Sequence, residues 1–171
     1  KSDSLTVSPY LGRDSIEPFV EVCDQRDAGI FVLVKTSNPG GGLFQDRQSD
    51  GESLYQAVAA LVTELNADRL GESGYGPVGA VVGATYPEQL QALRQAMPTS
   101  WILIPGFGAQ GGSADDVLVG LGDDGLGAVV NNSRALIFAH AREEYRERYG
   151  DSNWQDAVAA ATRQMNEQLK R

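Results

Sequence analysis

Five short apolar runs, each followed by a turn and then by a helical pattern, constrain the fold of this chain more than any other feature. The runs cover residues 5–7, 30–34, 78–83, 101–104 and 127–130. They are continuous rather than alternating, which indicates strands buried on both faces, as in a parallel sheet covered by helices. Strand–helix alternation repeated five times is typical of an α/β fold.

Helical patterns follow these runs at about residues 15–27 and 53–70, and a third begins at Pro87, which suits the first position of a helix. A charged helix is predicted at 145–149. Residues 152–155 form a capping-box pattern that opens a C-terminal helix over 152–170. An apolar stripe on this helix predicts packing against the rest of the protein; it consists of Trp154, Val158, Ala161, Met165 and Leu169. Residues 1–171 are expected to form a single domain.

Five βα units fit two architectures. One is an open, doubly wound five-stranded sheet. The other is the last five units of a (β/α)8 (TIM) barrel, which has eight units and typically about 250 residues. The chain has 171 residues.

The glycine-rich segment 105–112 lies between the run 101–104 and a helix start at Ser113. Such a turn directs backbone N–H groups toward an anion at the positive end of a helix dipole, which suits phosphate. Arg134 follows the next run and can add a bidentate contact to the same phosphate. The two final strands are therefore expected to be parallel neighbours whose loops converge on one anion.

Composition excludes several classes of function. The net charge is −9, with 23 acidic residues against 14 Lys and Arg, so general binding to nucleic acid or to an anionic membrane is not expected. No apolar run approaches the ~20 residues that span a bilayer. The one cysteine, Cys23, and the one histidine, His140, are interpreted as structural, and Asp123 and Asp124 as a solvated turn rather than a metal site.

Five loop sequences together resemble the orotidine monophosphate decarboxylase family, in its longer bacterial branch found in mycobacteria. They are Thr-Val-Ser-Pro-Tyr-Leu-Gly (6–12), Val-Lys-Thr-Ser-Asn-Pro-Gly (34–40), the strand and turn at 78–85, the glycine-rich segment 105–112, and Asn-Ser-Arg (132–134). The resemblance runs from about residue 4 to residue 141. It implies a TIM barrel, a cytoplasmic homodimer, and conversion of orotidine monophosphate to uridine monophosphate without metal or cofactor.

The resemblance also implies the residues that bind the pyrimidine base. Ser37 matches the serine that forms a hydrogen bond with the pyrimidine. Pro105 and Phe107 match positions that line the base pocket.

Four further positions match the phosphate-binding part of the family's site. Gln110 matches the glutamine that closes over the ligand. Gly111 and Gly112 are expected to supply N–H donors, and Arg134 matches the arginine that binds the phosphate.

The family's acid–base signature is missing from this sequence. That signature is Asp-x-Lys-x-x-Asp on the third barrel strand, and no Asp-x-Lys occurs here; the chain has only three lysines, Lys1, Lys35 and Lys170. We therefore expect a C-terminal portion that carries the binding half of the site without the Lys/Asp network. Alone it should be inactive, and it should not exist as a lone, well-folded monomer, because its edge strands and inner face would be open.

Two alternatives remain at this point. Strand alternation puts Lys35 on the same face as Ser37, so Lys35 is a candidate Schiff-base nucleophile of another phosphosugar barrel enzyme, an aldolase or isomerase. A polar interior layer or an ion pair also explains Lys35. The second alternative is a non-catalytic half-barrel that binds a phosphate ligand.

Overall fold

The computed structural model describes residues 2–108 and 113–170, and a parallel sheet lies at its centre. The strands of this sheet and of a small antiparallel hairpin are β1 (Ser4–Val7), β2 (Gly29–Lys35), β3 (Gln48–Ser49), β4 (Glu52–Ser53), β5 (Gly76–Val82), β6 (Ser100–Pro105) and β7 (Ala128–Asn131). Strands β3 and β4 pair only with each other, and the other five form the main sheet.

Helices follow the strands of the main sheet, as the sequence predicts. They are α1 (Arg13–Arg26), α2 (Gly42–Gln45), α3 (Leu54–Asn66), α4 (Pro87–Ala96), α5 (Ala114–Leu118), α6 (Ser133–Ile137), a 3-10 turn (Ala139–Ala141), α7 (Glu143–Tyr149) and α8 (Trp154–Gln168). Helix α5 begins with a capping box in which the Ser113 hydroxyl and N–H donate to the Asp116 carboxylate at 2.7 and 2.8 Å. These hydrogen bonds hold the pKa of Asp116 below its ordinary value.

The order of the strands decides between the two architectures. The main sheet runs β1-β2-β5-β6-β7, and every neighbouring pair is parallel. A doubly wound sheet reverses its strand order part-way, whereas right-handed crossovers between successive neighbours put all helices on one face. The alternative of a doubly wound sheet is therefore wrong. The observed order is that of successive strands around a barrel.

The two faces of the sheet differ in burial. Val32 and Val34 on β2, and Ile102 and Ile104 on β6, are at most 1% exposed and pack against the helices in the main core. The residues between them in sequence, Leu33 and Leu103, are only partly buried. The helix-covered face therefore holds the core, and the opposite face is incompletely covered.

The C-terminal helices form a second, smaller core, in which Ala139 and Tyr145 pack with Ala157 and Ala161 of α8. The predicted capping box at 152–155 is wrong, because Asn153 is the N-cap residue and its amide donates to the Tyr149 carbonyl at 2.8 Å. The predicted stripe is also partly wrong. Trp154 is half-exposed, and Ala157 is buried in its place.

Two buried side chains, Arg94 and Tyr75, form contacts at the amino edge of the sheet. The Arg94 guanidinium, whose pKa is lowered by burial, donates to the Gly127 carbonyl at 3.0 Å, the Ser100 carbonyl at 2.9 Å and the Met97 carbonyl. The Tyr75 hydroxyl donates to Asp124 at 3.1 Å, and burial and this hydrogen bond raise the pKa of Tyr75. The Arg94 contacts join the starts of β6 and β7, and the Tyr75 contact joins the start of β5 to the loop before β7.

We expect Arg94→Met to destabilise the full-length protein by about 3 kcal/mol or more, because it leaves three carbonyls without their charged donor. The same substitution at Arg163, which is exposed on α8, is the control and should change stability little. Chemical denaturation measures both. Equal stability of the two variants would contradict this role of Arg94.

Candidate functional site

The predicted binding residues meet at the carboxyl edge of the sheet. Ser37, Pro105, Phe107 and Arg134 line one cavity of about 130 Å³, together with Asn131 and Asn132 among others. Ligand pockets for drug-sized molecules have volumes of roughly 300–1,000 Å³, so this cavity is the size of part of such a site. Gln110, Gly111 and Gly112 lie outside the described residues.

Ser37 is held against the neighbouring strand end by a close backbone approach. The Gly83 N–H donates to the Lys35 carbonyl at 2.8 Å. A Cβ atom on Gly83 would lie 2.7 Å from the Cβ and 2.8 Å from the Cα of Ser37. Only glycine therefore allows Ser37 to lie directly over the end of β5.

Pro105 and Phe107 are placed by the end of β6. The Ala84 N–H donates to the Pro105 carbonyl at 2.9 Å, which joins this strand end to the end of β5. Gly106 has a φ of +98°, a left-handed conformation that favours glycine and turns the chain after Pro105. Phe107 is buried in the main core and also borders the cavity, so it offers an apolar wall.

Arg134 enters the cavity from the last βα unit. Pro105 pairs in parallel register with Asn131, which confirms that the two final strands are neighbours. Arg134 lies in the first turn of α6, three residues beyond the end of β7. No ion pair joins it to any residue of ranges 2–108 and 113–170, so in this part of the chain its charge is not neutralised by a carboxylate.

Lys35 does not share the cavity. Lys35 is not among the residues that line it, although Ser37 follows only two residues later. The register between β2 and β5 shifts between Leu33 and Lys35. The common face with Ser37 stays a prediction. The ammonium binds Asp46 at 2.5 Å, between the rings of Tyr55 (5.4 Å) and Tyr86 (5.3 Å). The ion-pair interpretation of Lys35 is confirmed.

The other reactive side chains lie away from the cavity. Cys23 is buried in α1, and burial, followed by the nearby charge of Asp24, raises its thiol pKa. The His140 ring packs 6.4 Å from that of Phe138. Asp124 accepts the hydroxyl of Tyr75 and the N–H of Leu126 and so fixes a turn. In the described ranges, no helix has the length and apolarity to cross a membrane.

Comparison with known proteins shows the family to which the chain belongs. The model of the orotidine 5'-phosphate decarboxylase / HUMPS family matches residues 1–149. The chain belongs to this family. A curated orotidine 5'-phosphate decarboxylase from Rhodopirellula baltica is 72% identical over 169 residues, covering 99% of this chain and 56% of the relative. A second, from Caldicellulosiruptor bescii, is 40% identical, covering 98% of this chain and 53% of the relative. The chain thus spans about half the length of these family members.

Solved structures of the orotidine 5'-phosphate decarboxylase family share the fold. The Leishmania donovani OMP decarboxylase superposes with a TM-score of 0.68 and 33% identity, covering 94% of this chain and 56% of that one. Such structural neighbours are TIM barrels. The parallel α/β sheet of this chain therefore belongs to a TIM-barrel family.

We expect Gly83→Ala to displace the Ser37 segment and to cost about 1–3 kcal/mol of stability, because the new methyl group would overlap the backbone and the Cβ atom of Ser37. Gly40→Ala is the matched control, since a Cβ there has only the Asn38 amide nitrogen nearby, at 3.8 Å. Denaturation of the full-length variants measures the difference. A Gly83→Ala protein as stable as the control would contradict the close packing of Ser37.

Proposed function

We propose that the full-length protein containing this chain is an orotidine 5'-phosphate decarboxylase, which converts orotidine monophosphate to uridine monophosphate and CO2 in pyrimidine biosynthesis. The observation that carries the proposal is the common cavity of Ser37, Pro105, Phe107 and Arg134. These residues come from three different βα units. Family membership gives the cavity its chemical context.

Each binding residue has a proposed role. The Arg134 guanidinium binds the phosphate, where a bidentate contact is strong and directional. The Ser37 hydroxyl forms a hydrogen bond with the pyrimidine, and Pro105 and Phe107 contact the base. Gln110 closes over the ligand, and the N–H groups of Gly111 and Gly112 complete the phosphate site.

We propose that the five βα units are the last five of eight. Apolar side chains are exposed at both ends of the sheet. The exposed fractions are 54% for Leu5 on β1 and 42% for Phe19 on α1, and 46% for Val129 on β7 and 58% for Ile137 on α6. Three more units would pair with both edge strands and bury these side chains along with the inner face. The length of the family members leaves room for them.

The catalytic Lys/Asp network then belongs to the first three units. There the lysine of Asp-x-Lys-x-x-Asp acts as the general acid that protonates the carbon losing CO2. Binding of the distant phosphate by Arg134 supplies energy that offsets assembly of a charged, water-excluded site. The reaction needs neither metal nor cofactor. We further propose a cytoplasmic homodimer of the longer bacterial branch.

The alternatives have less support. A Schiff-base enzyme would need Lys35 in the substrate cavity, but its ammonium binds Asp46 beside the helices. Borohydride trapping of a substrate on Lys35 would favour that enzyme. A non-catalytic half-barrel would bind nucleotide without turnover.

Ser37→Ala and Arg134→Gln should separate base from phosphate binding in the full-length protein. We expect Arg134→Gln to weaken the binding of uridine monophosphate and of ribose 5-phosphate alike, by roughly tenfold to a hundredfold. Ser37→Ala should weaken only the binding of uridine monophosphate, by roughly threefold to tenfold. Calorimetric titration measures both.

Ser152→Ala and Arg163→Gln, at exposed positions on and before α8, are the controls and should bind both ligands normally. An Arg134→Gln protein with unchanged ribose 5-phosphate affinity would contradict the phosphate site.

The 171-residue chain alone should not decarboxylate orotidine monophosphate, because it lacks Asp-x-Lys-x-x-Asp. The full-length protein, assayed in parallel by the loss of substrate absorbance, should. Turnover by rigorously purified 171-residue material would show that the missing network is not required.

A further inference from the structure

The last residue of β2, Lys35, is a buried cation that the proposed reaction does not use. The Lys35 side chain is 4% exposed and lies outside the cavity of Ser37. Its ammonium meets the Asp46 carboxylate at 2.5 Å and the faces of Tyr55 and Tyr86. Burial of a charge is unfavourable unless partners compensate it, so these partners are what keeps the ammonium in this position.

The partners of Lys35 come from three consecutive segments above the sheet. Asp46 is the C-cap of α2, Tyr55 lies in the first turn of α3, and Tyr86 is the N-cap of α4. One ammonium thus joins the end of β2 to the end of α2 and to the starts of α3 and α4. These contacts fix the position of the last residue of β2, from which the chain continues toward Ser37.

The next residue in the chain, Thr36, is held by the residue before Asp46. Its N–H donates to the Gln45 side-chain oxygen at 3.0 Å, and the Gln45 amide donates back to the Thr36 hydroxyl at 2.8 Å. Gln45 therefore binds Thr36, and Asp46 binds Lys35. These are the two residues immediately before Ser37.

Ser37 itself has no such anchor. Within the described part of the chain, no hydrogen bond to its hydroxyl is formed, so the hydroxyl is available to a ligand. The position of Ser37 depends on its packing against Gly83 and on the contacts that hold Lys35 and Thr36. A hydroxyl displaced by even 1 Å loses a hydrogen bond of good geometry.

We propose that Lys35, Asp46 and Gln45 are positioning residues that set the Ser37 hydroxyl against the pyrimidine base. The inference rests on the proposed function, since it takes Ser37 to be the base contact. None of the three residues touches the substrate. They act through the backbone of residues 35–37, and their effect is confined to the base half of the ligand.

Asp46→Asn in the full-length protein tests this role, because it keeps the side-chain shape and removes the charge. We expect uridine monophosphate to bind roughly threefold to tenfold more weakly, as for loss of one hydrogen bond, while ribose 5-phosphate binds as before. In a Ser37→Ala background, Asp46→Asn should weaken the binding of uridine monophosphate no further, because the effects of substitutions that act through one contact do not add.

Asp24→Asn is the matched control. Asp24 is 43% exposed against 48% for Asp46, and it pairs with Arg69 at 3.0 Å, but it lies in α1 near the opposite edge of the sheet. This variant should bind both ligands normally. Gln45→Ala should repeat the pattern of Asp46→Asn and serves as the second variant if the loss of charge prevents folding, which thermal melting reports.

Three results would overturn the inference. The first is that Asp46→Asn and Gln45→Ala leave the binding of uridine monophosphate unchanged. The second is that they weaken the binding of both ligands equally. The third is that their effects add fully to that of Ser37→Ala. In each case the wild-type protein still binds uridine monophosphate, so the proposed function stands. A wild-type protein that binds neither uridine monophosphate nor ribose 5-phosphate overturns the proposed function and this inference together.

Discussion

Parallel pairing of successive strands is the constraint on which the rest of this structure depends. Because β1, β2, β5, β6 and β7 pair in chain order, every loop that follows a strand leaves from the same edge. Ser37 and Arg134 are almost a hundred residues apart, yet both reach one cavity at that edge. No long insertion is needed to bring them together. The same order puts the helices on one face, which leaves the other face for the interior of a barrel.

The two edges of the sheet use different contacts. At the amino edge, the buried side chains of Arg94 and Tyr75 join strands through polar contacts whose loss affects stability. At the carboxyl edge, backbone groups approach closely at Gly83, and polar side chains point into a cavity. This division is the one expected of barrel enzymes, in which the face at the carboxyl ends of the strands carries the chemistry.

The sequence predicts the strands and helix starts well, because continuous apolar runs, Pro87 and Ser113 are local signals. It misses α2 and the β3–β4 hairpin, whose elements of two to four residues span only about one period of a helix or strand pattern and therefore show no repeat. The register shift between Leu33 and Lys35 could not be predicted, because it is set by pairing with another strand. Gly83 could have been found, since glycine at the end of an apolar run signals a close backbone approach.

We propose that this chain supplies the base- and phosphate-binding half of a nucleotide site. The most direct test is a crystal structure of the full-length protein with bound uridine monophosphate. Our account predicts the phosphate within hydrogen-bond distance of the Arg134 guanidinium and the pyrimidine against Ser37, Pro105 and Phe107. A nucleotide bound away from the carboxyl edge of the sheet, or with its phosphate remote from Arg134, would contradict it.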